Sequence, residues 1–243
     1  MMKKWTGLLL AACLMFTLAG CGSSTENNTS KGIADDKTTP TEIEDAVTDD
    51  LLEEAIPEDK LSEETDTSSG SNILVVYFAR TGEQYGVGVI DKGNTAIVAE
   101  MIAEETGADT FEILPANDTY PMTYEELTDV AKQELNDNAR PEIAGTLPDI
   151  SSYDTIFIGA PVWWGDWPMI CYTYFEANDF TGKNLAPFST HAGSGLSGFD
   201  SKLAKAAPGA TVLEGLAIAG TDAQNDQDSV RNKVQDWITK LGL

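Results

Sequence analysis

The sequence predicts an α/β fold in which helices cover both faces of a doubly wound, five-stranded parallel sheet. Short apolar segments rich in β-branched residues, typical of strands buried on both faces, alternate along the chain with segments of helical periodicity. Loops rich in glycine or tryptophan follow the first, third and fourth of these apolar segments. Because alternating strands and helices favour right-handed crossovers, the strands suit the order 2-1-3-4-5, with ligands bound beyond their carboxyl ends.

Residues 1–21 have the pattern of an export signal. Two lysines precede an apolar stretch, Trp5–Leu18, which is short for a membrane span and leads directly into Leu18-Ala19-Gly20-Cys21. This pattern resembles a bacterial lipoprotein signal with its lipobox, and an ordinary secretory signal is the alternative. The resemblance implies cleavage before Cys21, lipidation of its thiol, and anchoring on the outer face of a bacterial cell membrane.

Residues 22–71 and 72–243 differ in composition. The first segment has 15 acidic residues against three lysines and no aromatic residue, so it has little apolar surface to offset the entropy of ordering. We predict a disordered acidic tether there and one folded domain over residues 72–243. The net charge of the chain is −25 and its pI is about 4.1, which argues against nucleic-acid binding because phosphates would be repelled.

The domain is organised around the segment that begins at Ile73. Ile73–Phe78 is a continuous apolar run that predicts the central strand, and a glycine-rich loop follows it. Asn94 and Thr95 then open a helix that Gly107 is placed to end. The first turn of that helix offers unpaired N–H groups and the positive end of the helix dipole, so this segment predicts a phosphate site.

Two incomplete motifs limit the kinds of phosphate ligand that this site could bind. Gly86–Asp91 begins like a dinucleotide fingerprint but lacks its third glycine. Gly88–Thr95 has the spacing of a P-loop, but Asn94 stands where the lysine that binds a nucleoside triphosphate is needed. What remains is a site for a single phosphate, as in a mononucleotide. A long surface loop without a ligand fits this stretch equally well.

The rest of the domain alternates between strands and helices. After the first strand, the predicted strands are Thr110–Leu114, Thr155–Ala160, Asn184–Thr190 and Thr211–Ile218. The predicted helices after the first run from a Thr123 capping box to Asn138, from Met169 to Glu176, from Gly198 to Ala207 and from Asp226 to Leu241.

Two further loops leave the carboxyl ends of predicted strands. Pro161–Trp167 carries three indoles within five residues, which favour a flat wall for a ligand, although any one of them could instead fill the core. His191–Gly198 contains three glycines, so its N–H groups could bond the carbonyls of a heterocycle or form a flexible turn. We interpret His191, the only histidine, and Cys171, within a predicted helix, as structural residues.

Three motifs in these loops resemble the flavodoxin family, in particular its bacterial branch with a Pro-x-Trp-Trp-Gly loop. They are Tyr77-Phe78-Ala79-Arg80-Thr81-Gly82 resuming at Gly93-Asn94-Thr95, then Gly159-Ala160-Pro161-Val162-Trp163-Trp164-Gly165, and Thr190-His191-Ala192-Gly193-Ser194-Gly195. They occur in the family's order at the matching strand ends, and the resemblance covers Ile73–Leu243. It implies a flavodoxin-like sheet and non-covalent binding of FMN.

The resemblance also implies which residues bind FMN. The family's phosphate loop corresponds to Arg80, Thr81, Asn94 and Thr95. The loop along the isoalloxazine corresponds to Pro161, Val162, Trp163, Trp164 and Gly165, and the loop near the pyrimidine edge to Thr190, His191, Ala192, Gly193 and Gly195. Two features depart from the family pattern: Ala79 replaces a serine that usually binds phosphate, and Glu83–Lys92 is inserted into a usually compact turn.

The function implied by the resemblance is electron transfer by an FMN-binding protein, with a redox partner protein or a small electron acceptor. An FMN-dependent reductase that passes hydride from NAD(P)H to a quinone is the alternative, because the fold supports both functions. A surface binding module that has lost FMN is a third interpretation, and only Ala79 and the insertion favour it.

Overall fold

The computed structural model describes residues 72–243, so the predicted signal and tether lie outside the described residues. The strands are β1 (Ile73–Tyr77), β2 (Gly82–Gln84), β3 (Gly88–Ile90), β4 (Asp109–Glu112), β5 (Thr155–Pro161), β6 (Asn184–His191), β7 (Thr211–Val212) and β8 (Leu216–Ala219). The helices are α1 (Asn94–Thr106), α2 (Tyr124–Asp137), α3 (Met169–Glu176), α4 (Phe199–Ala206), α5 (Gly220–Asn225) and α6 (Gln227–Leu241).

The main sheet is parallel and has the order β4-β1-β5-β6-β7, with β8 also beside β6. Numbered among the sheet strands alone, this order is 2-1-3-4-5, which confirms the predicted fold class. The predicted central position of Ile73–Phe78 is wrong, because β5 lies in the middle of the sheet and β1 lies beside the edge strand β4. The order reverses between β1 and β5, so the loops that follow these two strands diverge and leave a crevice at the carboxyl edge.

Burial on both faces of the sheet explains the continuous apolar runs. Leu74 and Ile156 lie in one core cluster, whereas their chain neighbours Val75 and Phe157 lie in the other. Helices α2, α3 and α4 contribute to the first cluster, and α1, α5 and α6 contribute to the second. This is the doubly wound arrangement.

The helix ends follow local signals in one case and depart from them in another. Gly107 has a φ of 66° and its N–H bonds the carbonyl of Ala103, which ends α1 as predicted. The predicted capping box at Thr123 is wrong: its hydroxyl donates to the carboxylate of Glu126 at 2.5 Å and caps no backbone N–H. A carboxylate oxygen of Glu83, distant in sequence, accepts the first N–H of α2 at 2.9 Å instead.

The fifth strand is predicted as one segment, Thr211–Ile218, and this prediction is wrong. Two short strands, β7 and β8, stand in its place, separated by residues 213–215. The N–H of Leu213 donates to the carbonyl of Leu185 at 2.8 Å. The backbone N–H and C=O groups of the odd-numbered residues of β6 therefore point toward the fifth strand. Pro187 is the next such residue and has no N–H to donate, so the ladder is interrupted there.

Three elements have no counterpart in the prediction. Strands β2 and β3 form an antiparallel hairpin within the glycine-rich loop, pairing Gly82 with Ile90 and Gln84 with Gly88. Helix α5 follows β8 directly. All other boundaries lie within two residues of those predicted. Across residues 72–243, none of the helices combines the length and apolar character that crossing a bilayer requires.

Candidate functional site

Two adjoining cavities open at the carboxyl edge of the sheet, where the loops after β1, β5 and β6 meet. The larger cavity has a volume of about 290 Å³ and the smaller one about 100 Å³. Both are lined by Tyr124, Val162, Trp163 and Ala192. The larger cavity is also lined by Leu127, Thr128, Ala131, Trp164, Gly165 and Ser194. The smaller cavity is also lined by Gln84, Tyr85, Asn94, Pro161, Thr190, His191 and Gly220.

A tight turn places two indoles beside the larger cavity. Trp163 and Asp166 bond each other through their backbone N–H groups at 3.0 and 2.9 Å. Between them, Trp164 and Gly165 have φ of 51° and 75°, and positive φ at both central positions is the geometry of a type I′ turn. Trp163 is half-buried, edge-on to the ring of Phe78 at 5.4 Å, whereas Trp164 is 52% exposed at the rim.

The third indole of this loop belongs to the core. Trp167 is 1% exposed, stacks on Phe199 with ring centroids 3.7 Å apart, and donates its indole N–H to the carbonyl of Phe199. The prediction of a ligand wall is therefore wrong for Trp167, because this residue leads into α3 and packs with it. Cys171 in α3 is also fully buried, and burial raises the pKa of its thiol, as expected for a structural cysteine.

The loop after β6 is held by its own polar groups. Nδ1 of His191 accepts the N–H of Gly193 at 3.0 Å, and the hydroxyl of Ser189 donates to the carbonyl of Gly195 at 3.1 Å. Gly193 has a φ of 115°, a conformation that residues with a side chain rarely adopt. The loop can therefore pass close to the cavities, and Ala192 lines both of them.

Lys202 of α4 links this loop to the tryptophan turn. Its ammonium group donates to the carbonyl of Gly165 and to that of Ser197, and it lies 3.5 Å from the carboxylate of Asp166. Asp166 in turn accepts the hydroxyl of Tyr172 at 2.9 Å. These bonds fix the two loops relative to each other.

The stability of the loop should depend on the protonation of His191. Burial lowers the pKa of His191 below its ordinary value of 6.5, although the nearby charge of Asp222 acts in the opposite direction. A protonated Nδ1 would also lose the hydrogen bond from Gly193. The unfolded chain therefore binds this proton more tightly, and the free energy of unfolding should fall as the pH drops through about 6.5.

Urea unfolding of the wild type and of His191→Gln, between about pH 8 and about pH 5, measures this effect. Other titrating groups are shared by the two proteins, so the difference between them isolates His191. We expect the wild type to lose stability relative to His191→Gln as the pH falls. A difference that stays constant, or that moves in the wild type's favour on acidification, would contradict the assignment.

The N-terminus of α1 reaches the smaller cavity through Asn94. Oδ1 of Asn94 accepts a hydrogen bond from Nε2 of Gln224 at 2.9 Å, and the same nitrogen donates to the carbonyl of Lys92 at 2.9 Å. Gly220 packs closely against Asn94, since a Cβ on Gly220 would lie 2.6 Å from its Nδ2. Helix α5, which carries Gly220 and Gln224, therefore positions Asn94 beside the cavity.

The structure separates the four predicted phosphate residues into two groups. Asn94 lines the smaller cavity, and Thr95 is buried next to it with its hydroxyl 2.8 Å from that of Thr190. Arg80 and Thr81 line a different cavity of about 260 Å³. The structure therefore brings Asn94 and Thr95 together with the aromatic and β6 loops, and it does not bring Arg80 and Thr81 to the same cavities.

The guanidinium group of Arg80 is engaged elsewhere. It donates to both carboxylate oxygens of Asp118 at 2.8 Å and to the carbonyl of Tyr120 at 3.1 Å. Its side chain is 8% exposed and lies over the ring of Tyr120 at 5.2 Å. These contacts direct Arg80 toward the segment that precedes α2.

Several residues of the cavity walls have no counterpart among the predicted site residues. They are Gln84 and Tyr85 from the hairpin, Tyr124, Leu127, Thr128 and Ala131 from α2, Ser194 from the loop after β6, and Gly220 from α5. Gly86 and Gly88 are turn residues that could have indicated a hairpin carrying Gln84 and Tyr85. Tyr124 and Gly220 carry no comparable signal, because only the tertiary fold brings them to this edge.

The described domain is strongly acidic. It contains 25 aspartate and glutamate residues against 10 lysine and arginine residues. Within residues 72–243, no group of three histidine, cysteine, aspartate or glutamate side chains could hold a metal ion. The two cavities are lined by indole and phenol rings, by glycine-rich backbone and by the N-terminus of α1.

Comparison with known proteins agrees with this architecture. The family profile described as Flavodoxin matches residues 72–241. A candidate flavoprotein of Bacteroides uniformis shares 30% identity with a TM-score of 0.56, covering 70% of this chain and 99% of that one. A candidate flavoprotein of Bacteroides eggerthii shares 29% identity with a TM-score of 0.55, over 70% and 98% of the two chains.

A third similar structure is a flavoprotein of Lactobacillus acidophilus in complex with FMN, with 24% identity and a TM-score of 0.49 over 66% and 99% of the two chains. No curated protein matches the chain. The family profile covers more than two thirds of the sequence, and the matched region contains both the parallel sheet and the loops at its carboxyl edge. The chain therefore belongs to the flavodoxin family.

Proposed function

We propose that this protein binds FMN in the two adjoining cavities and acts as an electron-transfer protein. One observation carries the proposal: the N-terminus of α1, with Asn94, and the aromatic wall, with Trp163, line the same smaller cavity. A helix N-terminus suits a phosphate, and an aromatic wall suits a flat ring. Membership in the flavodoxin family supports the same cofactor.

The residues at the phosphate end fit this cofactor. Helix α1 has 13 residues, and its first helical hydrogen bond runs from the N–H of Ile97 to the carbonyl of Gly93 at 3.2 Å. The preceding N–H groups of the first turn are therefore available to an anion. Gly93 permits a close approach of the β1 loop, because a Cβ there would lie 2.9 Å from the carbonyl oxygen of Arg80.

The residues at the ring end fit as well. The larger cavity has apolar walls from Val162, Leu127 and Ala131, together with the indole of Trp163. Its volume and that of the adjoining smaller cavity fall together in the range of ligand pockets, which begins at about 300 Å³. The backbone of the loop after β6 offers hydrogen-bonding groups to the polar edge of a heterocycle.

Bound FMN supplies reversible electron transfer, and the chain supplies orientation and electrostatics. Trp163 and the turn that carries it exclude water from one side of the cavity. The excess of acidic residues makes the addition of an electron less favourable, so the midpoint potential should lie below that of free FMN. The same charge would steer a positively charged partner toward the site.

Two measurements on the FMN-loaded protein test this role. We expect a midpoint potential below that of free FMN in the same buffer, and no sustained oxidation of NAD(P)H in the presence of a quinone. A potential at or above the free value would count against the electrostatic account. Sustained turnover of NAD(P)H would favour the alternative, an FMN-dependent reductase.

We also propose that the protein is anchored through Cys21 to the outer face of a bacterial cell membrane. The support is the sequence Leu18-Ala19-Gly20-Cys21 after a short apolar stretch. Substituting Cys21→Ser removes the thiol that would be lipidated, so the expressed protein should leave the membrane fraction. Retention of the variant at wild-type levels in washed membranes would contradict the anchor.

A further inference from the structure

The hairpin formed by β2 and β3 is attached to the start of α2. The N–H of Glu83 donates to the carbonyl of Met122 at 2.8 Å, and the carboxylate of Glu83 accepts the N–H of Tyr124 at 2.9 Å. Gly82 lies so close that a Cβ there would be 2.7 Å from the carbonyl oxygen of Met122. A charge-assisted bond at a helix N-terminus is stronger than a neutral one, so the base of the hairpin is firmly held.

The turn of the hairpin extends over the smaller cavity. The N–H of Val87 donates to the carbonyl of Gln84 at 3.1 Å and closes the turn. A Cβ on Gly86 would lie 4.0 Å from Cγ2 of Thr221, so the turn lies near α5. The hairpin therefore spans from the start of α2 to α5, the two elements that bring Tyr124 and Gly220 to the cavity.

Tyr85 at this turn has an unusual environment. Its ring is tilted 42° to that of Tyr124, with centroids 5.5 Å apart, and it lines the smaller cavity. It is nevertheless 63% exposed. An exposed aromatic ring beside a cavity is available to cover a flat ligand. The loop after β6, from His191 to Gly198, contains no phenylalanine, tyrosine or tryptophan that could do the same from its position.

We infer that Tyr85 covers bound FMN from the side of the smaller cavity, as an aromatic wall that the inserted hairpin supplies beside Tyr124, a residue that lines both cavities. This inference rests on the proposed binding of FMN. The insertion Glu83–Lys92 then forms part of the binding site and does not interrupt it. Trp163 and Tyr85 come from opposite sides of the crevice between β1 and β5. Trp163 belongs to the loop after β5, and Tyr85 belongs to the segment after β1.

Titration of the full chain with FMN, followed by flavin fluorescence, tests the inference with matched variants. Tyr85→Ala should weaken FMN binding about tenfold, whereas Tyr85→Phe should stay within about twofold of the wild type, because the ring is retained. Val89→Ala is the control: Val89 lies in the same hairpin, is 80% exposed and does not line the cavities. It should bind FMN like the wild type.

Urea unfolding of the FMN-free variants shows whether the fold is intact, and the exposure of Tyr85 predicts little change in stability. If the wild type binds FMN and Tyr85→Ala binds it equally well, the inference is overturned and the proposed function stands. An equal loss in Tyr85→Ala and Val89→Ala would also overturn it, because the effect would then belong to the hairpin as a whole. Failure of the wild type to bind FMN would overturn the proposed function itself.

Discussion

Replacing Trp163 with alanine is expected to weaken FMN binding by about 30-fold or more, which corresponds to about 2 kcal/mol. Trp163 lines both cavities, so its removal takes away apolar contact area along the whole wall. Its ring is fixed edge-on against Phe78 and Tyr120, with centroids 5.4 Å away in each case. The wall is therefore rigid before a ligand arrives, and little conformational entropy is lost on binding.

Two graded variants separate the aromatic face from simple bulk. Trp163→Phe keeps a flat ring and should retain most of the affinity, whereas Trp163→Leu keeps apolar volume without a flat face and should lie between phenylalanine and alanine. Affinities come from fluorescence titration, and unfolding of the FMN-free proteins controls for the lost packing in the core. Equal affinities for the alanine variant and the wild type would show that the ring binds elsewhere.

Replacing Gly159 with alanine is expected to lower the free energy of unfolding by about 3 kcal/mol or more. Gly159 lies in the central strand β5, and a Cβ there would be 2.1 Å from the ring of Phe188. Phe188 is fully buried, so it cannot move away without disturbing the core between the sheet and α6. Urea unfolding measures the loss directly.

Gly107→Ala provides the comparison for this substitution. Gly107 has a φ of 66°, but no atom lies within 4 Å of the position that a Cβ would take, so only backbone strain of about 1 kcal/mol is expected. If Gly159→Ala costs no more than Gly107→Ala, the close contact with Phe188 does not constrain the strand. The larger cost at Gly159 is the result that agrees with the packing of β5 against Phe188.

The elements that the sequence predicts well are those whose burial is uniform. Strands β1, β5 and β6 are buried on both faces, so their apolar runs are continuous and their positions follow from composition alone. Helix α1 begins at Asn94 and ends at Gly107, and both residue types are preferred at the ends of helices. The same reasoning brings Asn94, Trp163 and Thr190 to one edge of the sheet, where the structure also places them.

The features that the sequence did not predict depend on partners far along the chain. Arg80 stands at a position of the motif that is expected to bind phosphate. In the structure its guanidinium group instead forms an ion pair with Asp118, 38 residues away in the sequence. Trp167 lies in the same loop as Trp163, but it packs against Phe175 and stacks on Phe199, 32 residues away, and is therefore buried. The break in the fifth strand is caused by Pro187 in the neighbouring strand, which no pattern within residues 211–218 can reveal.

The stoichiometry of FMN bound to the purified protein is the most direct test of the proposed function. The protein is saturated with FMN, passed through a desalting column, and assayed for flavin by visible absorption and for protein concentration. The two cavities predict one FMN per chain, with absorption bands shifted from those of free FMN by the aromatic surroundings. A protein that leaves the column without flavin, while remaining folded, would contradict the proposal that it binds FMN.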